Sequence, residues 1–246
     1  MSYFISGVNA VRENLRRGSD IIEILIAKQR KMERIQEILD MAGKKRIPIK
    51  FKERPHLDRI LPNVSHQGII AFLKNYSYFH LNELIKIALE SKGKGLLLIA
   101  DHITDTGNLG ALIRSAEFFG VQGLILPKDR SAFITDIVHR TSAGGSAYLP
   151  VARVVNLSRT IDQLVSNNLW IIGTSEKSKT NIYEFDWNRD LVLVMGSEGK
   201  GLSRVVRDKC HDMVSIPGFG KLDSLNVSVA SGVIFSEIVR QRVYPA

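Results

Sequence analysis

The last quarter of the chain combines a glycine-rich loop with a short polar segment, and this pairing suits the binding of a small molecule. The apolar run 191–195 predicts a buried strand, which breaks into the glycine-rich segment 196–203. Glycines directly after a strand allow main-chain amides and carbonyls to approach a ligand closely. The segment 224–230 then begins the last predicted helix and carries two small polar side chains, Ser224 and Asn226. We therefore predict a pocket in which a small molecule is held largely by the main chain.

Two familiar glycine motifs do not fit this loop. The spacing Gly196-x-x-Gly199-x-Gly201 differs from the G-x-G-x-x-G of a dinucleotide-binding fold, and no acidic residue follows on a second strand at the expected distance. A P-loop needs four residues between its glycines and then Lys followed by Ser or Thr. The spacing therefore argues against both motifs.

A third segment, residues 101–120, follows the apolar run 96–100 and carries Asn108 and Arg114. It predicts a polar loop and then a helix that ends at Gly120. The apolar positions of this helix form one stripe, which leaves Arg114 outside the predicted core. Taken alone, Arg114 is typical of a solvated helix arginine.

Together the three segments resemble the three motifs of the SpoU (TrmH-type) branch of the SPOUT RNA 2′-O-ribose methyltransferases. Residues 108–114 resemble the first motif, 195–201 the second and 216–232 the third, in the order that the family shows. The resemblance implies an enzyme with S-adenosylmethionine as cofactor and a homodimeric state. It also implies a C-terminal α/β domain with a parallel sheet and a deep trefoil knot, an exception to the usual unknotted topology.

The resemblance places the reaction around one arginine. Arg114 would lie near the ribose 2′-hydroxyl and the neighbouring phosphate, and Glu198 would orient it through a charge-assisted hydrogen bond. A free arginine is a very poor base because its pKa is above about 12, so Arg114 acts either as a strongly perturbed base or as the group that orients a phosphate. The other catalytic positions implied are Asn108, Ser224 and Asn226, and the implied cofactor contacts are Gly196, Ile216, Leu225 and Thr174.

Some of these residues also have an ordinary structural interpretation. Glu198 could be a solvated loop acid, and Ser224 or Asn226 could be the N-cap of the last helix. His102 and His139 lie near the predicted site, but a lone histidine is more often structural, and we assign no catalytic role to either.

The elements around these motifs predict two α/β domains. We expect a small RNA-binding domain at 1–75, a linker at 76–94 and the methyltransferase domain at 95–246. In the first domain the patterns predict a helix that ends near Gly18, a strand at 21–26, a helix at 34–41 closed by Gly43, and strands at 47–51 and 68–73. A helix at 81–90 would bridge the domains, and the methyltransferase sheet would use strands 96–100, 121–126, 148–154, 169–174, 191–195 and 212–216.

Charge is concentrated at the beginning of the chain. Residues 1–75 carry 15 Lys and Arg against 8 Asp and Glu, a net charge of +7, whereas the rest carries 19 against 17, which completes the total of +9. A basic segment on a nearly neutral body favours a polyanionic partner. The runs 5–11 and 66–71 also resemble the N-terminal substrate-binding domain of the RlmB-type ribosomal RNA methyltransferases. This resemblance implies a guanosine in 23S rRNA as the substrate, rather than tRNA.

Composition narrows the remaining classes. No apolar run reaches transmembrane length, and the N-terminus lacks a secretory signal. The single Cys210 excludes an internal disulfide and gives no metal cluster. We therefore expect a cytoplasmic protein without a metal, a membrane partner or a DNA partner. Two alternatives stay open: a tRNA ribose 2′-O-methyltransferase, and a catalytically silent RNA-binding assembly factor. The set Arg114, Glu198, Ser224 and Asn226 argues against the silent factor, because a non-enzyme does not need all four.

Overall fold

The computed structural model describes residues 3–28, 35–62, 65–74, 76–91, 94–197, 199–222 and 224–244. They form, in chain order, β1 (Tyr3–Ser6), α1 (Val8–Arg17), β2 (Ile21–Ala27), α2 (Gln36–Lys44), β3 (Ile49–Lys52), α3 (Arg54–Ile60), β4 (Ile69–Leu73), α4 (Leu81–Leu89), β5 (Leu96–Asp101), α5 (Thr106–Phe118), β6 (Gly123–Pro127), α6 (Asp136–Thr141), β7 (Val151–Val154), α7 (Leu157–Ser166), β8 (Trp170–Thr174), β9 (Leu191–Gly196), α8 (Arg204–Arg207), β10 (Asp212–Val214) and α9 (Val227–Val243). Within these residues, no helix is both long and apolar enough to cross a membrane.

The chain folds into two compact units. The first unit comprises Met1–Ser77 and Phe133–Tyr148, and the second comprises Tyr78–Ala132 and Leu149–Ala246. The domain boundaries expected from the sequence stay a prediction. No pattern in the sequence predicts that residues 133–148 pack with the first unit.

The first unit is a four-stranded mixed sheet with helices on both faces. The strand order is β1-β4-β2-β3, in which β4 runs antiparallel to β1 and β2 while β3 runs parallel to β2 at one edge. Alternate side chains of β2 point to opposite faces, so that Ile24 packs with α1 and α2 whereas Leu25 packs with Leu57 of α3. Each face therefore has its own apolar core.

Residues 133–148 complete the first unit through a buried polar cluster. His139 of α6 is fully buried, and its Nδ1 lies 2.5 Å from the Ser146 hydroxyl oxygen. Burial lowers the pKa of His139 to about 3, so the imidazole is neutral at physiological pH. The Tyr148 hydroxyl donates a hydrogen bond to the Glu13 carboxylate on α1. His139 is thus a structural residue of this unit.

The second unit is built on a six-stranded, fully parallel sheet. Its strand order is β10-β8-β9-β5-β6-β7. Helices α4, α7 and α8 pack on one face through an apolar cluster, and α5 packs against α9. Every side chain of β5 and β6 is buried, as expected for a parallel sheet that is covered on both faces. The predicted α/β class with a parallel sheet is confirmed, and the trefoil knot stays a prediction.

Most predicted elements are present, with three differences in the first unit. Strand β1 and helix α3 were not predicted, because β1 has four residues and α3 buries a single side chain, Leu57. The predicted closure of the second helix at Gly43 is wrong: α2 continues to Lys44, and the turn falls at Arg46, whose φ is 55°. A glycine inside a helix costs only about 1 kcal/mol relative to alanine, so α2 can continue past Gly43. Arg34, its predicted first residue, lies outside the described residues.

Candidate active site

The carboxyl ends of four neighbouring strands meet along one edge of the parallel sheet. Val214 of β10 lies opposite Thr174 of β8, and Gly196 of β9 lies opposite Asp101 of β5. Ligands in open α/β sheets bind outside the carboxyl ends of the strands. The three sequence motifs leave the sheet at this edge, which makes it the candidate active site.

The glycine-rich loop closes tightly on the end of β9. The Gly201 amide donates to the Ser197 carbonyl at 2.9 Å, and Gly199 and Gly201 have φ values of 76° and 63°. A Cβ on Gly196 would lie 2.2 Å from the Gly201 carbonyl carbon and 2.5 Å from the Leu202 amide nitrogen. Any side chain at position 196 would therefore force the loop open.

A buried carboxylate fixes the far end of this loop. Asp101 is fully buried, its Oδ2 accepts a 2.7 Å hydrogen bond from the Ser203 amide, and its Oδ1 lies 2.5 Å from Nδ1 of His102. His102 has a φ of 59°, a left-handed conformation that turns the chain away from β5. Asp101 is not among the predicted site residues, although a charged residue that ends a buried strand is a signal for a functional role.

The first and third motifs are joined by a direct hydrogen bond. The Asn226 Nδ2 donates to the Asn108 Oδ1 at 2.9 Å, across 118 positions of sequence. The Asn226 Oδ1 also accepts from the Ser228 amide at 2.9 Å, which caps α9. Asn226 is therefore both a helix N-cap and a bridge within the candidate site.

The other predicted catalytic residues are not brought into contact. Arg114 lies on an exposed part of α5 and makes no hydrogen bond or ion pair with the part of the chain that the structure describes. Ser224 is exposed at the entrance to α9. Glu198 lies outside the described residues, so its contact with Arg114 stays a prediction.

The predicted cofactor residues present main chain and apolar side chains at the same edge. The Thr174 hydroxyl donates to the Val194 carbonyl at 3.1 Å, which leaves its lone pairs available to a ligand. Ile216 is half-buried beyond the end of β10, and Leu225 is 48% exposed next to the N-cap of α9. Gly196 adds a main-chain surface without a side chain. This mixture fits a small molecule with a flat apolar ring and polar substituents.

Cys210 does not add a nucleophile to this unit. Burial, together with the charge of Asp101, raises the pKa of the Cys210 thiol to about 12. Its Sγ is 3.3 Å from the Val206 carbonyl oxygen. Within the described ranges, no three His, Cys, Asp or Glu side chains are grouped closely enough to hold a metal ion.

The first unit carries a basic surface around its edge strand. We define the basic edge as five exposed cations that make no ion pair with any described residue: Lys44, Arg46, Lys52, Arg54 and Arg59. Strand β3 lies between them in sequence, and its Lys50, Phe51 and Lys52 are all exposed. Exposed cations and an exposed aromatic side chain in one stretch of the sequence suit contact with a nucleic acid.

The fold and this site define the class of an α/β enzyme that binds a small molecule at the carboxyl edge of a parallel sheet, with an accessory basic unit. The chain matches the model of the SpoU rRNA Methylase family over residues 95–236, and a model described as RNA 2′-O ribose methyltransferase substrate binding over residues 4–79. It therefore belongs to the SpoU family of RNA 2′-O ribose methyltransferases, as the motifs predicted.

Individual relatives extend this likeness over both units. The chain is 40% identical to the 23S rRNA (guanosine-2′-O-)-methyltransferase RlmB of Haemophilus influenzae, over 99% of each protein. It is 42% identical to an uncharacterized tRNA/rRNA methyltransferase of Mycolicibacterium gilvum, over 97% of this chain and 76% of that protein. A crystal structure of the SpoU methyltransferase AviRb from Streptomyces viridochromogenes in complex with AdoMet superposes with a TM-score of 0.82 at 25% identity, covering 98% of this chain and 91% of that chain.

Proposed function

We propose that this protein transfers a methyl group from S-adenosylmethionine to the ribose 2′-hydroxyl of a guanosine in 23S rRNA. The observation that carries the substrate is the likeness to the Haemophilus influenzae 23S rRNA enzyme, which extends over nearly the whole of both chains, including the unit that bears the basic edge. Ribosomal RNA as the substrate implies action in the cytoplasm.

S-adenosylmethionine is the cofactor of this methyltransferase, and it supplies a methyl group bound to a positively charged sulfur atom. Gly196, Ile216, Leu225 and Thr174 would hold it at the carboxyl edge of the sheet. The main chain at Gly196, where the glycine-rich loop approaches β9, fits the polar groups of the cofactor. The apolar surface of Ile216 and Leu225 fits its purine ring.

Arg114 then binds the RNA phosphate next to the reacting ribose. A guanidinium holds its proton at any physiological pH, so Arg114 serves better as a phosphate clamp than as a base. Its planar fork would hold two phosphate oxygens, one of which takes the proton that the 2′-hydroxyl loses. The exposed position of Arg114, without a carboxylate partner among the described residues, leaves the fork open to an RNA ligand.

The asparagine pair supports this geometry from the protein side. The hydrogen bond between Asn108 and Asn226 links α5, which carries Arg114, to the start of α9. It therefore sets the position of Arg114 relative to the third motif. We assign Ser224 to the ribose and Glu198 to the orientation of Arg114, as the family resemblance implies.

We also expect two copies of the chain to associate. A groove of about 500 Å³ opens between α9 and the end of α5, lined by Phe119, Tyr183, Val229, Gly232, Val233, Ser236 and Glu237. Val229 is 53% exposed, and this apolar surface suits a symmetric contact with a second copy. Sedimentation of the wild type and of Val229→Asp would test the contact, because a buried charge should favour the monomer.

Transfer of labelled methyl from S-adenosylmethionine to purified 23S rRNA and to bulk tRNA tests the function. Wild type is compared with Arg114→Ala and with Arg204→Ala, a control at a 93% exposed side chain on α8. We expect label on 23S rRNA, a loss of about 10³-fold in Arg114→Ala and no change in Arg204→Ala. Label on tRNA alone would overturn the substrate. Cofactor binding without label on either RNA would favour the silent assembly factor.

A further inference from the structure

The loop that joins β10 to α9 exposes apolar side chains beside the candidate active site. Phe219 is 99% exposed and Leu222 is 87% exposed. A single exposed apolar residue is common in folded proteins, but two large ones within four positions mark a surface that contacts a partner. The exposure of these side chains implies that a partner covers this loop.

Both ends of the loop are fixed at the carboxyl edge of the sheet. On one side, the Ser215 carbonyl accepts from the Ile182 amide and the Ser215 amide donates to the Thr180 carbonyl, both at 2.9 Å. On the other side, Asn226 is bonded to Asn108. Phe219 therefore lies on a short loop that is anchored at the carboxyl edge of the sheet, next to the first motif through Asn108.

The surroundings of Phe219 leave the ring open to a flat ligand. The side chain of Phe219 is 99% exposed, and a Cβ on either neighbour, Gly218 or Gly220, would meet no atom within 4 Å, so the loop around the ring is not crowded. Because the Phe219 ring does not line a pocket, it cannot enclose a small molecule, but one face of the ring is sufficient for a nucleobase to stack on. Lys221, also exposed, can reach a phosphate of the same nucleotide.

From this arrangement we propose that Phe219 stacks on an unpaired base of the RNA next to the target nucleotide, with Lys221 on its phosphate. Phe219 is then a specificity-determining residue, because stacking requires a base that is splayed out of a helix. The enzyme should therefore select loops or single strands over duplexes. This inference rests on the proposed function, since it assigns the neighbour of the methylated nucleotide.

Kinetics on 23S rRNA provide the first test. We expect Phe219→Ala to raise KM for the RNA by about 10-fold to 100-fold, the usual range for the loss of one stacked base, with kcat changed less than 2-fold. Phe219→Tyr should have the same KM as the wild type because tyrosine keeps the aromatic ring. The matched control is Val155→Ala, which removes a 74% exposed apolar side chain outside this loop and should change KM less than 3-fold. An equal effect of both alanine variants would overturn stacking.

Fluorescence provides a second test that does not depend on activity. In Phe219→Trp, a single-stranded RNA 12-mer should quench the added tryptophan, and the same sequence as a duplex should not. Tyr244→Trp, at an exposed aromatic residue beyond the far end of α9, is the control and should not respond. The two natural tryptophans give both variants the same background.

The remaining outcomes separate this inference from the proposed function. Quenching of Phe219→Trp by S-adenosylmethionine alone would assign the loop to the cofactor, and a change with protein concentration alone would assign it to a second copy. Either result overturns the stacking role. Quenching by single-stranded RNA in a protein that methylates neither RNA would support the stacking role while the proposed function fails.

Discussion

The two units differ in what they do with the edges of their sheets. In the second unit the parallel strands are buried on both faces. Their carboxyl edge presents a few residues at the strand ends, among them Thr174, Gly196 and Asp101. In the first unit the edge strand β3 leaves three of its four side chains exposed, amid the basic edge. The comparison suggests a division of labour in which the second unit holds the reacting groups and the first supplies affinity for RNA.

The units also differ in how they use buried polar groups. The first unit buries both His66 and His139, whereas the second buries Asp101, which holds the glycine-rich loop. Burial lowers the pKa of His139, so the stability of the first unit should fall between pH 7 and pH 5.

The largest expected effect concerns the framework of the second unit. Arg242, in the last turn of α9, donates to the carbonyls of Lys94, Gly95, Trp187 and Arg189. Burial lowers the pKa of Arg242 to about 10. We expect Arg242→Met to destabilise this unit by about 3 kcal/mol, because several carbonyls lose a charged donor. Urea unfolding followed by tryptophan emission measures it, since both tryptophans, Trp170 and Trp187, lie in this unit.

A neighbouring arginine provides the control for that measurement. Arg240 lies on the same helix but bonds only to Glu237 among the described residues. Arg240→Met should have a smaller effect, because the Glu237 carboxylate keeps its hydrogen bond from Gln241. Similar losses in the two variants would mean that Arg242 contributes only its charge near the end of the helix.

The next effect concerns the pH response of the first unit. The pKa of His139 is about 3 in the folded protein and about 6.5 in the unfolded chain, so the unfolded chain binds an extra proton between these values. Stability is therefore lost as the pH falls below 6.5, by about 2 kcal/mol between pH 7 and pH 5. Urea unfolding followed by circular dichroism should show this loss, and tryptophan emission from the second unit should not.

A neighbouring carboxyl group acts in the opposite direction. Burial raises the pKa of Asp136, so the folded state binds the extra proton there, and a fall in pH relieves a cost. The His139→Gln variant should remove the loss from pH 7 to pH 5 and leave the smaller opposite trend of Asp136. An unchanged loss in His139→Gln would show that another group causes it.

The sequence predicted the second unit better than the first, for a physical reason. Buried parallel strands such as β5 and β9 are continuous apolar runs, and each ends at a motif. The packing of residues 133–148 with the first unit was not predictable, because it depends on His139 and Ser146 meeting inside a cluster whose members look like ordinary polar residues. The partner of Asp101 was equally hidden, since it is a main-chain amide 102 positions away.

A third prediction tests the role of the basic edge. Replacing Lys52, Arg54 and Arg59 by Gln should weaken RNA binding about 10-fold at moderate salt and lower the slope of log K against log salt by about 2, since each lost phosphate contact contributes about 0.7 for a single strand. Filter binding from 50 to 200 mM salt measures both quantities. The turnover number at saturating RNA should not change, because the proposed catalytic residues lie in the second unit.

A matched triple variant of the second unit makes this test specific. Lys86, Lys94 and Arg159 are exposed cations of that unit, outside the three sequence motifs and the loops that follow β5, β8, β9 and β10. Their replacement by Gln removes the same charge from elsewhere in the molecule. An equal loss of affinity in both triple variants would mean that net charge, rather than the basic edge, binds the RNA.

The smallest effect separates the two roles of Asn226. Asn226→Ala should cost about 1 kcal/mol of stability, because α9 loses its N-cap, and it should also lower methyl transfer. Asn108→Ala leaves the Asn226 N-cap in place but removes the oxygen that accepts from the Asn226 Nδ2. We therefore expect the Asn108 variant to unfold at the same urea concentration as wild type and still to lose activity. If it kept full activity, the bond between the first and third motifs would be dispensable, and the division of labour would rest on Arg114 and the cofactor edge alone.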